Sequence, residues 1–205
     1  MVLPKQSKDK RLVWVRADIL SQINRIANRE GKTITTFVNE VLEQSVRVYD
    51  MKLTLTEVVD LYMLTKMCRE GGNLTMPRNA VRYLISKVYH SNREELMQVF
   101  HDAGAWFGKY MMARMGGENL VERLRQILYV SVWDANEVYV DKNGDVISIR
   151  CVAPQLSMEE TELLASYVYG MLYSIGFKSI EREVIRGIII FKVKGGGVGE
   201  QAYST

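Results

Sequence analysis

The chain contains few of the residues that build disulfide frameworks or metal sites. Its 205 residues include two cysteines, two histidines and three prolines. Cys68 and Cys151 stand far apart without a CxxC pair, so the sequence predicts neither a disulfide framework nor a zinc knuckle. His90 and His101 have no partner at ligand spacing on one helix face. We therefore expect no metal site, no cofactor and no enzymatic activity.

Long apolar segments are also missing. No apolar run approaches the roughly 20 residues that a membrane span needs, and the polar first residues do not resemble a signal peptide. The composition, 47% hydrophobic and 25% charged, suffices for a buried core. We expect a cytoplasmic protein with no membrane partner.

Positive charge is concentrated at the N-terminus. The whole chain carries a formal charge of +3, but residues 1–32 hold eight Lys and Arg against three Asp and Glu, a net +5. This asymmetry is typical of a protein whose one end meets phosphates. A solvated basic tail is the alternative.

Residues 10–49 have the pattern of a short strand followed by two short helices. Leu12–Arg16 is rich in β-branched and aromatic residues, which favour a strand. An apolar stripe then extends from Ile19 to Ala27, and Gly31 ends that helix. Thr33 begins the next, whose stripe includes Phe37. Because each helix has one apolar face and the strand has no neighbour, the segment needs a partner chain.

This order, with Ala27-x-x-x-Gly31 before a Thr33-capped helix, resembles the Arc and CopG type of ribbon-helix-helix DNA-binding proteins. The resemblance implies a homodimer or higher homo-oligomer in which two strands form an antiparallel ribbon that enters the major groove of double-stranded DNA. It also implies that the start of the second helix binds a phosphate. Helix N-termini suit anions in any case, and Lys32 and Thr33 lie there.

An ungapped alignment with that family turns Val13 and Val15 towards the helices and Lys10, Leu12 and Trp14 towards the bases, with Arg16 at the end of the strand. The expected DNA-contacting residues are Lys10, Arg11, Leu12, Trp14, Arg16, Lys32 and Thr33. Leucine and tryptophan do not read base donors and acceptors as Arg or Asn do, so sharp sequence readout is not expected. A one-residue slip would instead turn Arg11, Val13 and Val15 outward. A ribbon that only dimerises is a further alternative.

Beyond Asp50 the pattern becomes helical and then changes to strands. Four helical stripes are predicted, at Leu53–Arg69, Pro77–Tyr89, Arg93–Met115 and Asn119–Tyr129. Gly104-x-x-x-Gly108 in the third permits close helix packing.

Two β-hairpins with a helix between them follow the four helices. Val132–Val140 and Val146–Val152 flank Asn143-Gly144, the signature of a tight hairpin turn. Ser157 with Glu160 begins a helix that ends at Gly176. A second hairpin, Lys178–Ile185 and Ile188–Val193, turns at Arg186-Gly187.

The C-terminal half, residues 101–194, resembles the 4-vinyl-reductase ligand-sensing domain family. The resemblance is carried by HDAGAWFGKYMMARMG, the helix ending YVYGMLYSIGF and the pair KSIEREVIRGIIIFKV. The cysteines usual in that family are absent here, so metal binding is not implied. The resemblance does imply an apolar pocket, between the helices and the sheet, for a small apolar effector. A packed core that only dimerises is the alternative.

Together these patterns predict an α+β protein with three parts. Residues 1–50 form a ribbon-helix-helix module, residues 51–194 a helical segment plus an α/β domain with two β-hairpins, and residues 195–205 a flexible tail. The function expected is that of a prokaryotic transcriptional regulator, with an interaction or architectural protein as the alternative.

Overall fold

The computed structural model describes residues 11–114, 120–132 and 135–195, without the side chains of residues 120, 123, 179 and 180. These residues form a mixed helical and antiparallel-sheet structure, so the α+β class is confirmed. In chain order its elements are α1 (Ala17–Arg29), α2 (Ile34–Asp50), α3 (Leu55–Glu70), α4 (Arg78–Val88), α5 (Arg93–Arg114), α6 (Leu120–Ser131), β1 (Glu137–Asn143), β2 (Val146–Val152), α7 (Met158–Ser174), β3 (Phe177–Ile185) and β4 (Ile188–Gly195).

The chain divides into two compact units, Met1–Asp60 and Leu61–Thr205. The division falls within α3, ten residues after the end of the predicted N-terminal module at Asp50. In the described part of the chain, no helix has the length and apolarity required to cross a membrane.

In the first unit, α1 and α2 both end in the same hydrogen-bonded turn. After α1, the Lys32 N–H donates to the carbonyl of Ala27, and Gly31 has a φ of +67°. After α2, the Leu53 N–H donates to the carbonyl of Val48, and the residue with positive φ is Lys52, at +60°. Both are Schellman turns, in which glycine is the residue without a steric penalty.

The second unit is built around α7. Its N-terminus has the predicted capping box, because the Ser157 N–H donates to the Glu160 carboxylate and the Glu160 N–H donates to the Ser157 hydroxyl. The sheet has the antiparallel order β1-β2-β4-β3. Its inner face is buried in the same core as α7 through Ile147, Ile149, Cys151, Ile189, Phe191 and Val193.

The opposite side of α7 packs against α5 so closely that their backbones touch. A Cβ added at Gly104 would lie 1.9 Å from the Tyr167 carbonyl oxygen, and one at Gly170 would lie 2.0 Å from that of His101. At Gly108 the corresponding distance to the Met171 carbonyl is 2.6 Å. The prediction that Gly104-x-x-x-Gly108 is a packing device is therefore confirmed.

The two hairpins are confirmed with shifted boundaries. Gly144 and Asp145 occupy the first turn, because Asn143 already pairs with Val146, so the turn lies one residue later than predicted. The first strand begins at Glu137, whereas Val132 follows the end of α6 and is buried against the core.

The last strand extends farther than predicted. β4 continues to Gly195 instead of ending at Val193, which takes the first residue of the predicted tail into the sheet. The rest of that tail lies outside the described residues, as do Met115 and Asn119 at two of the predicted helix ends.

Candidate nucleic-acid interface and ligand cavity

The predicted ribbon segment is exposed and unpaired in the single chain. Residues 11–16 form neither helix nor strand, so the predicted strand is not observed there; Lys10 lies outside the described residues. Leu12, Val13 and Trp14 are 84%, 73% and 91% exposed. Because a strand exists only by pairing with another, a chain that offers this segment no neighbour leaves it irregular.

The exposure of this segment does not favour either strand register. In a folded ribbon one face would be covered and the other free, but here the side chains of both faces are open to solvent. Arg11 is exposed, and Arg16 forms an ion pair with Asp18 at 2.5 Å. This bond lowers the pKa of the Asp18 carboxyl, which keeps the pair ionised.

Lys32 and Thr33 lie together at the N-terminus of α2. The Thr33 hydroxyl accepts the Thr36 N–H at 3.1 Å, so Thr33 is the N-cap that the sequence predicts. The Lys32 ammonium contacts the carboxylates of Glu40 at 2.6 Å and Glu30 at 3.1 Å. The Glu40 hydrogen bond is the main reason that the pKa of Lys32 is raised. A phosphate at this helix end would compete with two carboxylates for Lys32.

Within one chain the two groups of predicted DNA contacts are not brought together. The segment 11–16 precedes α1 and Lys32 follows it, so about 20 Å of helix lies between them.

The first unit buries almost nothing in a single chain. Among the described residues 11–60 only Ala27 and Val48 are buried. Its exposed aliphatic side chains on the helices are Ile19, Leu20, Ile34, Val41, Leu42, Val46, Leu55 and Val59. Most soluble domains cover such stripes.

A cavity of about 410 Å³ lies in the second unit, among its helices. Its lining is Thr65, Cys68, Arg69, Gly72, Asn73, Leu74, Thr75, Val99, Phe100, Ala103, Val130, Ser131 and Tyr167. No strand contributes to this lining, so the cavity is not between helices and sheet, where the sequence places a pocket. On the sheet side of α7, Leu164, Val168 and Phe191 are each at most 1% exposed.

The inner wall of the cavity carries several polar side chains. The Tyr167 hydroxyl donates to the Asn73 side-chain oxygen at 3.2 Å. The Ser131 hydroxyl oxygen is buried and has no hydrogen-bond partner among the described residues. Burial raises the pKa of the Cys68 thiol, and its contacts with Ser131 and Asn73 oppose that rise. The thiol is therefore protonated at neutral pH and is a poor nucleophile.

Sequence reasoning missed this wall. Cys68 is a buried free thiol, but nothing in the sequence connects it with Ser131 or Tyr167. The one available signal was Gly71-Gly72, which interrupts the helical pattern and creates the turn that contributes Asn73 to the cavity. In the described part of the chain no three His, Cys, Asp or Glu side chains cluster as a metal site would require.

No protein-family model and no curated protein matches the chain. Solved structures of H-NOX domains are similar to it at a low level. An oxygen-binding H-NOX domain related to soluble guanylate cyclases, in its oxygen complex, has 16% identity, covers 71% of this chain and 93% of its own, and gives a TM-score of 0.37.

A mutant of the T. Tengcongensis H-NOX has 16% identity, covers 67% of this chain and 90% of its own, and gives a TM-score of 0.35. A structure from work on H-NOX activation has 15% identity, with 65% and 86% coverage and a TM-score of 0.37. TM-scores this low support no conclusion about the fold or function of this chain.

Proposed function

We propose that this protein is a homodimeric DNA-binding protein, a prokaryotic transcriptional regulator whose N-terminal module is of the ribbon-helix-helix type. Its C-terminal part, similar in sequence pattern to 4-vinyl-reductase domains, senses a small ligand or sets the oligomeric state. The carrying observation is the apolar surface that residues 11–50 leave exposed in one chain.

Dimerisation would cover that apolar surface. A second copy supplies the missing neighbour for residues 11–16, and two identical segments pair antiparallel about a twofold axis. The exposed stripes of α1 and α2, including Leu20 and Leu42, would then be covered by the same stripes of the other copy. Because both surfaces are apolar and belong to one sequence, a second chain is the occupant we favour.

DNA is the partner we propose for the paired segment. Eight basic residues against three acidic ones give residues 1–32 a net charge of +5, which a dimer doubles. The N–H groups at the start of α2 supply two further phosphate sites, one per chain. Phosphate contacts would provide most of the affinity, since Leu12 and Trp14 have little capacity to read bases.

A module that only dimerises is the second candidate. The observation that favours it is the pairing of Lys32 with Glu30 and Glu40, which reduces the positive charge available to a phosphate. Affinity for DNA distinguishes the two candidates, because a dimerisation module has no reason to bind a duplex in a salt-dependent manner.

The test measures fluorescence anisotropy of a labelled duplex against salt concentration. In the full chain, Lys10→Gln with Arg11→Gln removes four positive charges per dimer. If all four neutralise phosphates, the slope of log K against log salt should become flatter by up to about 3.6. The matched control, Lys109→Gln with Lys142→Gln, removes the same charge from the second unit and should leave the slope unchanged. Equal slopes for both double variants would refute the assignment.

A further inference from the structure

The cavity in the second unit has the features of a ligand site. At about 410 Å³ it falls within the range of about 300–1,000 Å³ typical of small-molecule pockets. Two large apolar side chains of its lining are left open to solvent: Leu74 is 86% exposed and Val99 is 55% exposed. A ligand with an apolar body would cover both, and Phe100 and Val130 beside them.

The cavity lining includes one charged side chain. Arg69 is the only ionisable residue among the lining residues that is charged at neutral pH, and it forms no ion pair with any described residue. Its neighbours in α3 differ, since Lys66 lies 3.9 Å from Glu70 and Glu70 also pairs with Arg114 at 3.1 Å. The last turn of a helix suits a cation, but a free guanidinium beside an apolar cavity also suits a carboxylate.

A second polar group lies at the buried end of the cavity. The Ser131 hydroxyl is removed from water and makes no hydrogen bond of normal geometry with the described residues, an arrangement that native proteins mostly avoid. Its neighbour, the Cys68 thiol, is a weak hydrogen-bond partner. A hydroxyl group on a ligand in the cavity would give Ser131 a strong partner.

We propose that this cavity binds a small, largely apolar carboxylic acid that bears a hydroxyl group, with Arg69 contacting the carboxylate and Ser131 the hydroxyl. The site lies wholly within the second unit, so the proposal does not depend on DNA binding. Because Arg69 is the exposed member of the pair, the acid end would lie towards solvent and the hydroxyl end inside.

Ligand-observed NMR titrations of the full chain with three probes test this. The probes are 4-hydroxyphenylacetate, its neutral amide 4-hydroxyphenylacetamide, and phenylacetate, which lacks the hydroxyl. We expect 4-hydroxyphenylacetate to bind with a Kd below about 1 mM and the other two to bind at least about tenfold more weakly. Absence of binding by both acids, or binding of the amide as tight as that of the acid, would overturn the proposal.

Three variants and one control variant locate the site. Arg69→Gln should weaken the acid at least about tenfold and leave the amide unchanged, whereas Lys109→Gln, which removes an exposed cation of α5 outside the lining, should change neither. Ser131→Ala should abolish the preference for 4-hydroxyphenylacetate over phenylacetate. Ala103→Trp, at an exposed lining position, should fill the cavity and abolish binding of all probes. Undiminished binding to Ala103→Trp, or equal effects of Arg69→Gln and Lys109→Gln, would contradict it.

Discussion

Replacing Leu42 with alanine gives the sharpest test of the proposed dimer. Leu42 lies on α2 and is 53% exposed in the single chain, so about half of its side chain remains to be buried by a partner. Full burial of a leucine contributes roughly 1.5–3 kcal/mol, and the uncovered half therefore contributes about 1 kcal/mol. Because the dimer is twofold symmetric, the substitution acts in both copies, and the free energy of dimerisation should weaken by about 2 kcal/mol in total. The dimer dissociation constant should rise about 30-fold.

Sedimentation equilibrium over a range of micromolar concentrations measures this directly. Alanine is the best helix former, so the substitution should not unfold α2 itself. Leu84→Ala is a matched control, because Leu84 lies on α4 in the second unit and is also 53% exposed. We expect it to leave the dissociation constant unchanged. An unmodified protein that sediments as a folded monomer, or a Leu84→Ala effect as large as that of Leu42→Ala, would refute the reasoning.

Four further variants test other parts of the molecule. Lys32→Ala with Thr33→Ala should lower affinity about equally for unrelated duplexes in anisotropy titrations, since both residues are proposed to act on phosphate. Trp14→Ala should weaken all duplexes without changing preference at one base, and a strong consensus that depends on Trp14 in a selection from random duplexes would contradict this. Lys52→Gly should raise the free energy of unfolding by up to about 1 kcal/mol in urea titrations, because it relieves a φ of +60°. Burial raises the pKa of the Cys151 thiol from 9.0 to about 12, so the unfolded chain loses this proton at a lower pH than the folded chain does. The free energy of unfolding should therefore fall as pH rises from 9 towards 12, by about 1.4 kcal/mol at pH 10. The Cys151→Ala variant should lack this loss.

Local signals in the sequence predicted the local structure well. Thr33 and Ser157 cap their helices as expected, since a capping side chain acts on backbone groups three residues away. The second hairpin turns at Arg186-Gly187 as expected, with a φ of +72° at Gly187. In each case the residues that determine the element are adjacent to it.

Errors arose where distant contacts decide the outcome. The first turn lies one residue later than Asn-Gly predicts, and the strand that follows it, β2, is also paired along its length with the distant β4. Val132 has the composition of a strand residue, but it follows α6 and packs into the core. Neither pairing nor packing can be read from neighbouring residues.

The cavity was beyond sequence reasoning for the same reason. Its polar wall joins Cys68 of α3, Ser131 of α6 and Tyr167 of α7, which are separated by many residues along the chain. Only the packing of those helices places them around one space. The ribbon is a different case, because the strand that it is expected to pair with belongs to a second molecule. The single chain therefore cannot show that pairing.

The direct contact between the α5 and α7 backbones has a consequence for how the molecule opens. With no side chain between them at Gly104 or Gly170, these helices have no soft layer that permits one to move while the other stays. Amide hydrogens of α7, covered by α5 on one side and the sheet on the other, should exchange with deuterium only when the whole second unit unfolds. Those of α1 and α2 are protected by little buried surface in one chain, so their exchange rates should depend on protein concentration if a second chain covers them.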